Sequence, residues 1–384
     1  MNAKGLQFYL DKLNPLMITY ARELRGLTKK ELADHIGKTA AAVTRIEKGS
    51  LRPELDTFFS ISNALSTAPA FFARDPDDFK TFDISRVHFR GQRKVSATQK
   101  KALIRDGETS VDILRYFEKQ GIVLPEDSLA EYSTTVKNDY EIEALAIQVR
   151  TALGLGFGPI TNLINTLESF GIIVLYLTKG ESINVDAFSS VICNRHVILL
   201  CHHDSASRLL FSIAHELGHL LMHDFTDGSM GQEKEANRFA SAFLMPWKTF
   251  KEECPRRWNL RAFIEMKKRW RASIGAILYR AKTLSIISEG SYVRAIQQMR
   301  ENGIHINEPE EPQAESPVLF SEAIKILVKH SLTITEIETE LGYSRDRLVE
   351  VLNAQQVSSN LIEYLNKKAS PASMGTILAF NRAF

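Results

Sequence analysis

The sequence predicts a mainly helical α+β protein that is built from several units and contains one small β-sheet. Three observations predict this fold class. Apolar residues recur at helical spacing along most of the chain, and capping residues flank many of these segments. Three short β-branched runs lie close together, at 171–176, 188–193 and 197–201. The chain of 384 residues is too long for one compact core, since single domains usually hold about 100 to 200 residues.

Residues 1–74 are expected to form a unit of five short helices. Thr28 and Glu31 have the spacing of a capping box at the start of one helix, which Gly37 ends. Thr39 caps the next helix. Two capped helices joined by a tight turn predict a helix-turn-helix, whose second helix can enter a DNA major groove. A helical bundle used for protein contacts is the alternative.

The rest of the chain divides into three predicted regions. Residues 75–157 are expected to be a helical linker or brace, 158–306 to hold the sheet and two long helices, and 318–384 to be a small helical unit. The acidic, proline-rich stretch 307–317 predicts a linker between the last two regions. The turn around Gly342 is typical of a helical hairpin, with a second helix-turn-helix as the alternative.

The charge of the whole chain does not show whether the protein binds nucleic acid. The formal net charge of +2 is too small for that conclusion, so the charge of local segments has to be considered. The segment 85–101 carries six basic residues and no acidic one. We expect a solvated basic arm there, with contact to phosphate or substrate as the alternative. Neither a secretion signal nor an apolar run long enough for a membrane span is found, so we expect a cytoplasmic protein without membrane contact.

Residues 215–219 read HELGH and lie within an apolar run that predicts a buried helix. His215 and His219 are four residues apart, so both imidazoles project from one helix face and can bind one Zn²⁺. Glu216 lies beside them and can act as the general base that takes a proton from water. The motif therefore predicts a catalytic zinc site, which needs one more protein ligand.

The following helix, 232–244, supplies that ligand. Glu233 shares a helix face with small residues that would permit close approach to the two histidines, so Glu233 is the predicted third ligand. Asn237 is then placed to orient a histidine without binding the metal itself. Glu235 is a weaker alternative for the ligand. His223 is expected not to bind, because it lies about 80° around the helix from His215.

The segments LLFSIAHELGHLLMH and EKEANRFASAFLMP resemble the ImmA/IrrE family of zinc metallopeptidases. The resemblance implies a zincin-like fold of the gluzincin type, in which His215, His219 and Glu233 bind zinc and Glu216 activates water. Members of this family cleave transcriptional repressors that control mobile elements and stress responses. A strand such as 186–190 could pair with an extended substrate. His202 and His203 are expected to be surface residues.

The stretch 18–65 resembles the lambda-repressor-like helix-turn-helix of the XRE, or Cro/CI, type. In this chain, however, alanines occupy positions 40–42, where the family usually presents polar side chains to the groove, so we expect modest sequence specificity. Phosphate contacts should supply much of the affinity. The predicted DNA-binding residues are Lys29, Lys38, Thr39, Ala40, Thr44, Arg45, Lys48 and Arg52.

Together these features predict a DNA-binding transcriptional regulator with zinc-dependent endopeptidase activity. The expected partners are double-stranded DNA and a protein substrate, either a repressor or the product of a neighbouring gene. A homodimer is expected, because Cro/CI-type domains usually bind paired half-sites. The alternative is a transcription factor or antitoxin-like regulator whose metallopeptidase-like domain is a non-catalytic sensor or scaffold.

Overall fold

The structure is a computed structural model of the chain. It describes residues 3–75, 81–82, 87–89, 95–136, 138–178, 185–201, 205–225, 229–366 and 378–379. The predicted surface residues His202 and His203 lie outside the described residues, as do four of the basic residues in 85–101. The predicted fold class is confirmed, since the described part of the chain is mainly helical and holds a small four-stranded sheet besides a two-stranded pair.

Five helices form the N-terminal unit, as predicted. They are α1 (Ala3–Asp11), α2 (Pro15–Leu24), α3 (Lys29–His35), α4 (Ala40–Glu47) and α5 (Leu55–Ala64). Thr28 and Glu31 make the expected capping box at the start of α3, and the Thr39 hydroxyl accepts a hydrogen bond from the Ala42 amide at the start of α4. A buried ion pair between Arg22 and Glu47, 2.5 Å apart, ties α2 to the end of α4.

A long helix connects this unit to the sheet. The elements of the middle region are a 3-10 helix (Pro69–Ala73), β1 (His88–Phe89), α6 (Ala97–Lys119), β2 (Ile122–Val123), a second 3-10 helix (Ala130–Tyr132), α7 (Asp139–Ala152) and α8 (Leu163–Ser169). The sequence predicts α6 only from residue 108, because its first turns carry few apolar residues. Its true start is marked by a capping box between Ser96 and Gln99.

Helix α6 contacts both the N-terminal unit and the sheet. On one side, Glu23 of α2 pairs with Lys101 at 2.8 Å and with Arg105 at 3.0 Å. On the other side, Gly107 lies so close to β5 (Arg195–Leu200) that an added Cβ would overlap the Leu199 side chain. The helix therefore fixes the N-terminal unit to the sheet through buried and half-buried contacts.

The sheet has four strands in the order β1-β4-β5-β3, where β3 is Ile173–Tyr176 and β4 is Ala187–Ile192. Strand β4 runs antiparallel to β5, and β3 runs parallel to β5. All three β-branched runs of the sequence therefore form strands as predicted. A separate two-stranded pair joins β2 to β6 (Leu378–Ala379).

Helices cover one face of this sheet and form the second half of the molecule. They are α9 (Ala206–Met222), α10 (Met230–Leu244), α11 (Trp247–Glu253), α12 (Leu260–Trp270), α13 (Ile274–Thr283) and α14 (Glu289–Glu301). Their apolar side chains share one buried cluster with α7 and α8. A second cluster joins the N-terminal unit, α6, the other face of the sheet and the C-terminal helices.

The C-terminal unit packs against the N-terminal unit. Its helices are α15 (Leu319–Lys329), α16 (Ile334–Leu341), α17 (Arg345–Ala354) and α18 (Ser359–Asn366). At the turn between α16 and α17, Gly342 has φ +69° and lies against the Phe71 backbone, while the Tyr343 ring contacts the Phe71 ring at 5.2 Å. The turn is thus a packing surface, which favours the helical hairpin over a second DNA-reading motif.

The predicted linker 307–317 lacks helix and strand, but it is bound to the helices around it. The Glu308 carboxylate accepts a hydrogen bond from the Ile274 amide, Glu311 accepts one from Ser207, and Glu315 accepts one from Ile164. Each of these amides lies at a helix N-terminus, where a carboxylate is favoured. Glu308 and Glu311 also pair with the buried Lys267 at 2.9 and 2.5 Å. The stretch 307–317 is therefore held against three helices through its acidic side chains.

Among the residues that the structure describes, no helix combines the length and the apolar character needed to span a membrane.

The side chain of Gln355 closes the β3 edge of the sheet. It accepts a hydrogen bond from the Tyr176 amide at 3.0 Å and donates one to the Tyr176 carbonyl at 2.6 Å. We predict that Gln355→Leu lowers the free energy of unfolding by about 2 to 4 kcal/mol, because two buried backbone groups lose their partners. Denaturant unfolding of both proteins measures this.

The matched control is Gln297→Leu, which removes only a solvent-exposed hydrogen bond to Glu301 on α14. We expect a change within about 0.5 kcal/mol for this control. Equal stability of Gln355→Leu and Gln297→Leu would contradict the edge-closing role of Gln355.

Candidate metal centre

Helix α9 is almost entirely buried, as its apolar sequence predicts. His215 and Glu216 have no exposed surface and His219 is 2% exposed. Polar side chains at such depth need partners, since burial of an unpaired charge or imidazole is costly. The contacts of these three side chains therefore indicate what the helix is built to hold.

Helix α10 lies close against α9 because small residues face it. Ala236 and Ala240 of α10 are fully buried, and Gly218 of α9 contacts Phe239. A Cβ placed on Gly218 would lie 3.0 Å from Cδ1 of Phe239, which leaves little room for any larger residue. This close packing brings the first turn of α10 to the histidine face of α9.

His215, His219 and Glu233 converge on one point. The Nε2 atoms of the two histidines are 3.0 Å apart, and the Glu233 carboxylate oxygens lie 3.6 Å from His215 Nε2 and 3.5 Å from His219 Nε2. Their ligand atoms are close enough together to hold one metal ion. Within the described part of the chain, no other group of histidine, cysteine or acidic side chains has this arrangement. The sequence predicted all three.

The separations fit a tetrahedral ion. Three ligands that are each about 2.1 Å from one ion in tetrahedral geometry lie roughly 3.4 Å from one another. The nitrogen and oxygen donors are of the types that zinc binds. The Glu233 side chain is 40% exposed while both histidines are buried, so the site opens on the Glu233 side.

Two further side chains orient the site. Asn237 Oδ1 lies 3.1 Å from His215 Nδ1 and can accept a hydrogen bond from the Nδ1–H group. This tautomer leaves the lone pair of Nε2 free for a metal, as the sequence predicts. The Ser189 hydroxyl of β4 donates a hydrogen bond to Glu216 Oε2 at 2.7 Å. The sequence does not indicate Ser189, because its contact depends on how the sheet packs on α9.

His223 and Glu235 lie beside the cluster but outside it. His223 Nδ1 is 3.0 Å from His219 Nδ1, and His223 Nε2 is 2.8 Å from Glu235 Oε2. The weaker ligand candidate Glu235 therefore contacts His223 rather than the His215–His219–Glu233 cluster. The spacing of four residues from His219 could have indicated the His223 contact, since it places both rings on one helix face.

The edge of β4 is paired with another part of the chain near the site. Strand β1 runs antiparallel to β4, with His88 opposite Ser189 and Phe89 opposite Phe188. Ser189 is the residue that contacts Glu216. A segment from the connection between the N-terminal unit and α6 thus lies along the strand that the sequence suggests for binding extended substrates.

The predicted DNA-binding residues lie on or beside α3 and α4. Lys38, Thr39, Ala40, Arg45 and Lys48 are exposed, and Thr44 is half-buried, with its hydroxyl bonded to the Ala40 carbonyl. Two of the predicted cations have acidic neighbours: Lys29 lies 3.5 Å from Glu47, and Arg52 pairs with Asp11 at 2.5 Å. Arg45 and Lys48 are the basic residues best placed on the exposed face of α4.

These features define a helix-turn-helix protein with a metallopeptidase-like domain. Comparison with family models agrees: residues 18–72 match the helix-turn-helix family, and residues 167–282 match the peptidase family described as the IrrE N-terminal-like domain. The chain therefore combines a DNA-binding helix-turn-helix domain with an ImmA/IrrE-like domain, and both predicted resemblances are confirmed. No curated protein is similar enough to the chain to be counted as a relative.

The contact between Gly218 and Phe239 yields a prediction. We expect Gly218→Val to force α10 away from α9 and to lower the free energy of unfolding by about 1 to 3 kcal/mol, the usual cost of overpacking a core. The matched control is Gly290→Val on α14, where the nearest atom to an added Cβ is the flexible end of Arg294, 3.7 Å away. If both variants unfold at the same denaturant concentration, the contact between Gly218 and Phe239 does not limit how closely α9 and α10 pack.

Proposed function

We propose that this protein is a DNA-binding transcriptional regulator that cleaves a protein substrate, a repressor or the product of a neighbouring gene, with a zinc-dependent endopeptidase. The observation that carries the proposal is the convergence of His215, His219 and Glu233 at ligand distances, with the Glu216 carboxylate buried on the same helix. A site that only binds zinc has no need for a buried carboxylate in the position of Glu216.

Each residue of the site would have a distinct role. His215, His219 and Glu233 would hold Zn²⁺, which supplies a Lewis acid and lowers the pKa of water to about 7 when bound. Glu216 would take the proton of the attacking water and pass it to the leaving amine. Ser189 holds one oxygen of this carboxylate, so it orients the base. Asn237 fixes the ring of His215.

The N-terminal unit would locate the protein on DNA. Helix α4 would offer the exposed Ala40 and Arg45 and the half-buried Thr44 to base edges, and Arg45 and Lys48 to phosphates. Few of these side chains can read bases, which supports an affinity dominated by phosphate contacts. Paired half-sites would require two copies of the chain.

One observation favours the second candidate, a regulator whose metallopeptidase-like domain senses or scaffolds without cleaving. Strand β1 occupies the edge of β4 at Ser189, where an extended substrate would otherwise add a strand. The two candidates differ in whether Glu216 is needed for the appearance of a cleaved protein in cells.

We predict that Glu216→Gln slows cleavage by about 10² to 10⁴-fold, because an amide cannot act as general base. Protein N-termini compared between cells with the wild-type chain and cells with the variant should show at least one new terminus only in the wild type. The control is Glu252→Gln, an exposed change on α11. Identical termini in all three strains would rule out the endopeptidase and leave the sensor or scaffold.

We predict that purified protein carries about one zinc per chain and that His219→Ala loses most of it, since a catalytic zinc site needs three protein ligands and the variant keeps only two. Metal analysis after dialysis measures this. The exposed His330 provides the control, and His330→Ala should keep its zinc. A wild-type protein that binds no zinc from solution would defeat the enzymatic proposal.

DNA binding should weaken steeply with salt. In a gel shift with DNA from its own promoter, we expect binding at about 50 mM salt and a large loss by about 200 mM. Arg45→Ala should lower the slope of log K against log salt by about 1, because one phosphate contact is removed. Lys251→Ala, an exposed change on α11, should leave the slope unchanged. Absence of binding at the lower salt would favour a helical bundle that contacts proteins.

A further inference from the structure

The two ring nitrogens of His219 face different partners. Nε2 faces the candidate ligand cluster, 3.0 Å from His215 Nε2 and 3.5 Å from the Glu233 carboxylate. Nδ1 lies 3.0 Å from Nδ1 of His223. The other nitrogen of His223 lies 2.8 Å from Glu235 Oε2. A continuous line of contacts therefore runs from the ligand position through two imidazoles to a carboxylate on α10.

The position of each proton in this line follows from the chemistry of the ends. A histidine that binds a metal through Nε2 carries its proton on Nδ1. The Nδ1–H of His219 must then donate to His223 Nδ1, which accepts only when it carries no proton. The proton of neutral His223 consequently lies on Nε2 and donates to Glu235, which as a carboxylate can only accept. One carboxylate thereby sets the tautomer of both rings.

The two histidine ligands are oriented by different groups. His215 donates to the amide oxygen of Asn237, a neutral acceptor. His219 donates to the imidazole of His223, whose own N–H donates to the Glu235 carboxylate. The hydrogen bond to this charged acceptor polarises His223 and makes its Nδ1 a stronger acceptor for His219. His223 is 9% exposed, so its ring is held between α9 and α10, while the Glu235 side chain is 39% exposed.

We propose that Glu235 and His223 form a positioning relay that fixes the tautomer and orientation of His219 and strengthens its bond to the metal. The inference rests on the proposed zinc site. Outer partners of this kind typically change metal affinity by about 10 to 100-fold when removed. Both residues lie outside the His215–His219–Glu233 cluster and are connected to it through His219.

The test uses the full-length protein and Zn²⁺ titrated in competition with a chromophoric chelator. His223→Leu removes both contacts and should weaken zinc binding by about 10 to 100-fold. His223→Gln should stay within a few-fold of wild type, because its amide can accept from His219 and donate to Glu235. Glu235→Gln keeps an acceptor but removes the charge, so its loss should lie between those of the two His223 variants.

Glu338→Gln is the matched control, because it removes a carboxylate that pairs with Arg345 at 2.8 Å on the distant C-terminal unit. It should bind zinc as wild type does. Absorption of the Co²⁺-loaded proteins provides a second readout, since a change in the donor strength of His219 shifts the ligand-field bands. A role of His223 in packing alone would leave these bands in place.

The outcomes separate the relay from the proposed function. If wild type binds no zinc, the proposed metallopeptidase fails and the relay fails with it. If wild type binds zinc and His223→Leu binds it within twofold, only the relay is overturned. Equal losses in His223→Leu and His223→Gln also overturn it, because rescue by the polar side chain is then absent. Should His223→Leu not fold, Glu235→Gln decides, and affinity equal to that of Glu338→Gln rejects the relay.

Discussion

The close packing of α9 against α10 is the constraint on which the candidate metal centre depends. One helix can place two imidazoles at one point, but the next position on that face, 223, lies about two turns from His215. The third donor must therefore come from a second element, and Glu233 reaches the histidines only because Ala236, Ala240 and Gly218 keep the helices close. The same approach brings Asn237 to His215 and Glu235 to His223.

Helix α6 extends this rigid arrangement toward the N-terminal unit. It pairs with Glu23 of α2 at one face and packs through Gly107 onto β5 at the other. Strand β5 is hydrogen-bonded to β4, whose Ser189 contacts Glu216. A contiguous set of packed elements thus joins the DNA-binding unit to the candidate base.

The sequence predicts those features that depend on local pattern. Helix caps, the three strands and the ligand set follow from periodicity and from residue types at fixed spacing. The features that were missed depend on contacts between distant segments. The contact of Ser189 with Glu216 requires the sheet to lie on α9, and the docking of Glu308 and Glu311 requires the N-termini of α13 and α9 to lie near one another. The start of α6 was missed because its first turns carry little apolar signal.

The distribution of charge around α9 supports the interpretation that this site binds a cation. Glu216 is fully buried and shares α9 with the buried rings of His215 and His219. Glu233 lies beside these two rings, and Glu235 contacts His223. Burial of a carboxylate is costly unless it is paired or lies near a metal ion. A hydrogen bond from Ser189 to Glu216 offsets part of that cost. A dication at the meeting point of the ligands would be attracted by these carboxylates, so metal binding and the stability of the α9–α10 pair should be linked.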